Sequence, residues 1–404
     1  MTEMTRRNVL RAGGALGAVG AMTLASPGAA WSWATSGSVA GSGTGADPRW
    51  VWDEVADPLM ADVVERGDVA VVNTALRAWT TNSQVLPDGL PGDVRDFIEE
   101  ARRLPSWADP AKLDDSFTFT TKRGTYLGVL YGLNSGMMST AIPHEARAVY
   151  YSKGGADMKL RISRTAKLGY DIGTKNAFDP NGQMITTCVK TRMVHAAVRH
   201  LLPKSGFWKQ TADQTAPISQ RDMMITWHSL ASCTWKKLTA WKIAIPQAEA
   251  DGYLHSWQLT AHMLGIQDQY IPATWGDAVA QSHQVLDPVL APTPEGIELA
   301  DILLNLASNV DGGQLSYPFL AAATRYMLGD QITDSLQIPR NVYWDNFFRN
   351  GWPAFVAFKE AGLALPLAPA GSWMFDEFLR KGALFYLSDG KPISIEIPDA
   401  NRGL

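Results

Sequence analysis

Apolar residues recur every three or four positions through nearly the whole chain, which places them on one face of successive α-helices. Strand-like alternation is scarce and clear only at Ile393-Ser-Ile-Glu-Ile397. Long helices joined by short loops predict an all-α fold. The predicted helices span residues 50–66, 69–79, 93–104, 117–138, 157–170, 184–202, 219–237, 246–264, 272–289, 293–309, 318–328, 344–361 and 371–383.

The first thirty residues have the pattern of an export signal. Arg6 and Arg7 form a twin-arginine pair, and a small-residue apolar stretch follows at positions 12–24. Small residues precede Ala30, so we expect cleavage after Ala30, with Ala40 as the alternative. The pattern predicts a secreted protein that is exported folded by the twin-arginine pathway. The apolar stretch is too short for a durable membrane span, and no later stretch resembles one.

Composition divides the rest of the chain in two. Residues 31–46 are rich in Gly and Ser, which predicts a flexible tether. Residues 47–404 contain no Pro/Gly/Ser linker and no run of charge, so we predict a single domain and expect a monomer. The net charge is −4 and no basic patch interleaves with aromatic residues, which argues against a nucleic-acid partner.

The two cysteines, Cys188 and Cys233, could form a disulfide or remain free. A domain of this size can bury enough apolar surface to be stable without a disulfide. There is no C-x-x-C-H motif, so a haem would be held non-covalently. Two cysteines are also too few for iron–sulfur clusters or cysteine-based zinc sites.

Ionisable residues gather on the two predicted helices at 157–170 and 184–202. Arg161, Thr165 and Leu168 share a face of the first helix, with Arg164 beside them. The second helix carries a stripe at helical spacing that contains Cys188, Arg192, His195, Arg199 and Leu202.

The neighbouring arginines disfavour the imidazolium form, so His195 should be neutral with a nitrogen lone pair available. The arginines need anions, and their own helix face supplies none. Haem would answer both needs, with iron bound to His195 and the propionates near Arg192 and Arg199. In the alternative, His195 is an ordinary interhelical histidine and the arginines pair with Asp or Glu elsewhere. Spacing alone favours the alternative.

Other catalytic motifs are absent from the sequence. The stretch Gly132-Leu-Asn-Ser-Gly136 lacks the central serine of a nucleophile elbow. His144-Glu145 is not followed by the second histidine of a zinc-protease motif. His255 and His262 share a helix face and could bind a metal, but such histidines more often belong to the core.

Glu145 has two interpretations. Burial after an apolar helix would raise its pKa and make it a usable base near neutral pH. Alternatively it is a helix-start acid stabilised by the helix dipole, with Pro143 in the first turn. The residues alone favour the second interpretation.

Arg161-x-x-Arg164-Thr165 and Arg192-x-x-His195-x-x-x-Arg199-His200 together resemble the latex clearing proteins, the haem b rubber oxygenases of actinobacteria. The likeness covers nearly the whole chain, export signal included, and reverses the preference set by spacing. Four further residues fall at the family's spacings: Glu145, His228, His255 and His262.

The resemblance implies a globin-like helical core with additional N- and C-terminal helices. It implies a haem b dioxygenase that cleaves poly(cis-1,4-isoprene) internally with O2 and releases oligo-isoprenoids with aldehyde and ketone ends. His195 would be the proximal iron ligand, and Arg192 and Arg199 would hold its helix or the propionates. A polymer without polar groups also requires an apolar channel.

On the distal side, the resemblance implies that Arg161, Arg164 and Thr165 line the O2 site and that Glu145 removes an allylic proton. Two alternatives stay open: a haem oxygenase or peroxidase for another terpenoid or lipid, and a non-enzymatic haem or lipid carrier.

The chain departs from the family pattern at Arg164. Some members place a lysine there, and its amine can cap the iron in a closed resting state. A guanidinium has no lone pair to give, so Arg164 cannot do this. Lys167 is a candidate substitute as distal ligand, but it lies about 300° further around the helix. We therefore expect an open resting state.

Overall fold

The structure is a computed structural model that describes residues 30–32, 37–41, 43–152, 157–212, 215–310, 315–363 and 368–402. Residues 1–29 of the predicted export signal, which was expected to span 1–30, lie outside the described residues. Helices dominate, and the predicted all-α fold is confirmed. The α-helices are α1 Ala56–Glu65, α2 Val69–Ala78, α3 Gly92–Ala101, α4 Pro110–Val129, α5 Pro143–Tyr151, α6 Met158–Asp171, α7 Met184–Leu201, α8 Gly206–Thr211, α9 Gln220–Ala240, α10 Gln247–Met263, α11 Trp275–Val285, α12 Pro294–Ala307, α13 Tyr317–Leu328, α14 Asp330–Ser335, α15 Val342–Gly362 and α16 Ala368–Leu387.

The predicted helix at 117–138 differs from the structure at both ends. Helix α4 begins at Pro110, where the side chain of Asp109 accepts a hydrogen bond from the amide of Ala111 at 3.0 Å. Proline in the first turn after an Asp cap is a strong start signal. After Val129 the chain continues as a π-helical segment, Leu130–Gly136. The prediction missed α5, α8 and α14, each of nine residues or fewer.

The strand-like stretch at 393–397 forms no strand. Its backbone is instead bonded by side chains: Asn73 donates to the carbonyl of Ile397 at 2.9 Å and accepts from its amide at 2.8 Å. Arg164 Nε donates to the carbonyl of Ser394 at 2.8 Å. These bonds replace a sheet partner, because buried backbone groups must be paired.

The segment predicted as a flexible tether packs against the domain wherever it is described. Strand β1 (Ala30–Ser32) pairs antiparallel with β2 (Thr44–Ala46). Tyr270 donates to the carbonyl of Ala46 at 2.7 Å, and the amide of Val39 donates to Ile271 at 3.0 Å. Gly/Ser composition predicted mobility, but the interleaved Trp31 and Val39 supply apolar contacts with the core.

Helices α4 and α10 pack together in the interior. Phe119 stacks on Tyr253 with ring centroids 4.2 Å apart, and the buried Arg123 donates to Glu249 at 2.6 Å. A Cβ at Gly252 would lie 2.5 Å from the carbonyl oxygen of Lys112, so only glycine permits this close approach.

Helix α7 is fastened to the N-terminal part of the chain by two ion pairs. Arg192 contacts both carboxylate oxygens of Asp53, at 2.5 and 2.9 Å, and Arg199 contacts Asp57 at 2.6 Å. Burial raises the pKa of Asp53, but the hydrogen bond and charge of Arg192 outweigh it and leave the pKa below its usual value. At Asp57 burial prevails over Arg199, and the pKa is raised.

Cys188 and Cys233 are both buried and free, so no disulfide joins them. Within the described ranges, no helix is both long and apolar enough to cross a membrane.

The Asp53 pair gives a stability prediction. Arg192→Leu leaves a carboxylate with only 3% side-chain exposure without its partner, which should lower the free energy of unfolding by about 3–5 kcal/mol. Arg66→Leu is the control, since Arg66 pairs with Asp68 and Asp93 at the surface and should change stability far less. Urea denaturation measures the free energy of unfolding of both variants. Equal decreases would contradict a stabilising role for the Arg192–Asp53 pair.

Candidate active site

A mostly apolar cavity of about 1160 Å³ lies beside α7. Its wall includes residues of α4, the π-helical segment, α5, α6, α7, α9, α10 and α16, and the segment after α16. Ordinary small-molecule pockets measure about 300–1,000 Å³. This cavity is therefore large enough for a cofactor together with part of a substrate.

His195 is in the wall of this cavity, and its Nδ1 is buried without a hydrogen-bond partner among the described residues. Burial, with the charges of Arg199 and Arg161, lowers its pKa to about 3. The neutral form expected from the sequence is therefore the form present at ordinary pH. An unpartnered buried ring nitrogen is costly, and coordination to a metal ion is one way to satisfy it.

Helical geometry explains why His195 faces the cavity while Arg192 and Arg199 face α1. Arg192 and Arg199 differ by about 20° around α7, whereas His195 lies about 40–60° further on. This rotation lets both arginines meet α1 and its preceding loop while His195 joins Thr191, Val194 and Val198 on the cavity wall. Neither arginine lines the cavity, and Asp53 and Asp57 already neutralise them. Of their two expected roles, the geometry corresponds to holding the helix and not to binding propionates.

Glu145 lines the cavity from the first turn of α5. Burial raises its pKa to about 8, although a hydrogen bond from the Thr226 hydroxyl acts in the opposite direction. Both sequence interpretations hold in part, because Glu145 is a helix-start acid and is also desolvated. Burial is the largest cause of its raised pKa, and the charge of Asp222 adds to it.

Arg161 also lines the cavity, on α6. Burial lowers its pKa to about 10, and the charge of Glu145 opposes that shift. The charge of Arg161 in turn acts on both Glu145 and His195. Three residues that the sequence singled out on separate helices thus converge on one apolar space.

Arg164 and Thr165 also line the cavity, but both side chains contact backbone carbonyl groups of the protein. The guanidinium of Arg164 is bonded to the carbonyl of Ser394 and lies 4.0 Å from Glu396, and its burial lowers its pKa. The hydroxyl of Thr165 contacts the carbonyl of Arg161 at 3.4 Å.

Lys167 does not line the cavity. Its ammonium donates to Asp171 at 2.6 Å and to Gln183 at 2.8 Å, about 120° around α6 from Arg161. No lysine of the described chain appears in the cavity wall. The placement gives no support to Lys167 as a distal ligand, because its amine is already held by a carboxylate.

His228, His255 and His262, which fall at the family's spacings, have structural partners outside the cavity. His228 bonds Ser232 and Gln281, both at 2.7 Å. His255 accepts from the amide of Asp109 at 2.9 Å, and His262 contacts Asp268 at 2.6 Å. No group of three or more His, Cys, Asp or Glu side chains suited to a metal ion occurs within the ranges that the structure describes.

A glycine stripe was missed by the sequence analysis. Gly128, Gly132 and Gly136 recur every four residues along α4 and the π-helical segment, and all three line the cavity. A Cβ added at Gly128 or Gly132 would meet no atom within 4 Å, so the stripe leaves a flat, open strip of wall. The four-residue spacing was the available signal. Thr226, the partner of Glu145, gave no such signal.

Comparisons with known proteins identify the family of the chain. Residues 121–357 match the family described as "ER-bound oxygenase mpaB/B'/Rubber oxygenase, catalytic domain". The "Rubber oxygenase" of Streptomyces sp. (strain K30) is 54% identical over 406 residues, with 100% of both chains covered. The solved "Structure of Latex Clearing Protein LCP in the closed state" matches with a TM-score of 0.82 and 54% identity, over 91% of this chain and 99% of that chain. Such a family implies a metal or haem cofactor. The chain therefore belongs to the rubber oxygenase family, the latex clearing proteins, and is an oxygenase.

Proposed function

We propose that this protein is a secreted haem b dioxygenase that cleaves double bonds of poly(cis-1,4-isoprene). The observation that carries the proposal is a neutral histidine with an unpartnered nitrogen in the wall of a large apolar cavity. The relative's name, rubber oxygenase, supports the substrate. The twin-arginine pattern supports export of the folded protein with its cofactor bound.

The residues present fit a non-covalent haem. His195 would hold the iron, and the open wall at Gly128 and Gly132 leaves room for a flat ring. Anionic groups of the cofactor would meet cavity cations such as Arg161 in preference to Arg192 and Arg199, which are paired already. When bound, haem would supply the activation of dioxygen.

Glu145 would supply the proton chemistry. Its carboxylate would take an allylic proton from an isoprene unit in the cavity, and the charge of Arg161 favours the carboxylate form. Thr226 fixes the carboxyl by donating to Oε1. The apolar wall of the cavity would bind the hydrocarbon substrate.

No lysine faces the cavity within the described chain, so we further propose an open distal side in the resting enzyme.

Product analysis distinguishes poly(cis-1,4-isoprene) from another terpenoid or a lipid as the substrate. Latex should yield oligo-isoprenoids with one aldehyde and one ketone end.

His195→Ala should lose haem, since it removes the histidine that would hold the iron. Loss of a ligand that stabilises only the folded state should also lower the Tm. Soret absorbance per chain measures the cofactor. His262→Ala is the matched control, because His262 lies outside the cavity, and it should keep its haem. A full haem complement in His195→Ala would assign the iron to another residue.

Glu145→Gln should keep fold and haem while turnover falls by about a hundredfold or more, because the amide cannot accept a proton. The wild-type kcat/KM should rise with pH through about 8, where the carboxylate forms, and the variant should lack that rise. Thr226→Val removes a hydrogen bond that lowers the pKa, so it should move the rise to higher pH. Near wild-type turnover in Glu145→Gln would reduce Glu145 to a helix-start residue.

A further inference from the structure

Helix α16 exposes apolar residues and buries charged ones, which is the reverse of an ordinary surface helix. Surface helices bury apolar residues and expose polar ones. The outward side of α16 instead carries five large apolar residues, with Phe378 and Phe385 exposed by 73% and 70%. We call these five residues the outer stripe: Met374, Phe375, Phe378, Leu379 and Phe385.

Three charged residues of α16, Asp376, Glu377 and Arg380, face inward. Asp376, 2% exposed, accepts a hydrogen bond from the amide of Thr125 at 2.9 Å and is also bonded to its hydroxyl. A Cβ at Gly124 would lie 2.6 Å from an Asp376 oxygen, so the glycine makes room for this contact. Glu377 accepts from Tyr170 at 2.5 Å. Polar bonds to α4 and α6 therefore hold the helix in this orientation.

Helical geometry places the two sets on opposite sides. Met374, Phe378 and Phe385 fall within about 40° of one another, and Phe375 and Leu379 extend the stripe to about 140°. Asp376, Glu377 and Arg380 occupy the other side, together with the cavity-lining residues of α16. The exposed apolar residues thus form one continuous face of the helix and are not scattered singly over the surface.

Helix α16 carries the outer stripe on one side and part of the cavity wall on the other. Ala383, Leu384 and Leu387 of the same helix line the cavity. A cavity of about 1160 Å³ holds only a short stretch of a long polymer. The rest of the polymer, or the particle that contains it, must lie outside against the nearby protein surface.

The charge around the stripe identifies the kind of surface it fits. Helices that bind anionic lipid carry free Lys and Arg beside their apolar face. Here Arg380 and Lys381 both pair with Glu377, at 2.9 and 3.1 Å. The stripe therefore matches a hydrocarbon surface without charged headgroups.

We propose that the outer stripe of α16 is a docking surface for the hydrocarbon particle whose chains enter the cavity. The proposal rests on the proposed function, because the same polymer occupies both places. The stripe concentrates the enzyme on the particle, and the cavity performs the cleavage.

The test compares the full-length protein with the triple variant Phe375→Ser/Phe378→Ser/Phe385→Ser. Moving each phenyl side chain from water to hydrocarbon is worth roughly a tenfold change in partitioning. We expect at least about tenfold weaker co-flotation with polyisoprene particles and a matching loss of particle cleavage at low particle concentration. Cleavage of a short cis-isoprenoid oligomer in detergent should stay within about twofold of wild type.

The matched control is Val71→Ser/Val85→Ser, which removes exposed apolar side chains outside α16 and should change neither assay. Wild-type flotation of the triple variant would overturn the proposal. Binding of the wild type to phosphatidylcholine vesicles as strong as its binding to polyisoprene particles would also overturn it. If the wild type sediments as a dimer and the triple variant as a monomer, the stripe binds a second copy of the chain instead. An equal loss of oligomer cleavage would assign it to the cavity wall.

The assay also separates this proposal from the proposed function. A wild-type protein that floats with particles through the stripe, but cleaves neither particles nor oligomer, would refute the function and support the docking surface.

Discussion

The buried pairs of Arg192 with Asp53 and Arg199 with Asp57 fix the orientation of α7, and the site depends on that orientation. They turn both guanidinium groups toward α1 and leave His195 facing the cavity. Without these acids, the arginines would compete for any anion in the cavity. Arg192 and Arg199 are therefore paired with acids, while Nδ1 of His195 is left without a hydrogen-bond partner among the described residues.

Desolvation is the second constraint, and it acts in the same way on the convergent residues. It lowers the pKa of His195 to about 3, raises that of Glu145 to about 8 and lowers that of Arg161 to about 10. One apolar space thus holds a neutral histidine, a carboxyl group with a raised pKa and a nearby cation that favours the carboxylate form. The same apolar wall suits a hydrocarbon substrate.

Helical periodicity predicted the fold class and the main helices, because repeats such as those of α6 and α7 are long and regular. It missed short helices such as α5, and it could not show that α4 passes into a π-helical segment. Helical spacing and charge singled out Arg161 and His195, but the residues alone favoured structural roles for His195 and Glu145. The resemblance to the latex clearing proteins assigned all three to the site. The partners of Arg192 and Arg199 were not found, because spacing along one helix does not show what packs against it.

The sequence also did not show that α16 exposes its apolar side and buries its charged side. Its sequence mixes Phe with Asp, Glu and Arg, and only the contacts with Thr125 and Tyr170 show which side faces the protein.

The central claim is that the cavity beside His195 holds haem and carries out oxygenation. A pyridine haemochrome spectrum of the purified protein, taken with oxygen uptake on polyisoprene particles, tests it directly. We expect about one haem b per chain and oxygen consumption that begins when the particles are added. Undiminished oxygen consumption by protein that contains no porphyrin would contradict the account.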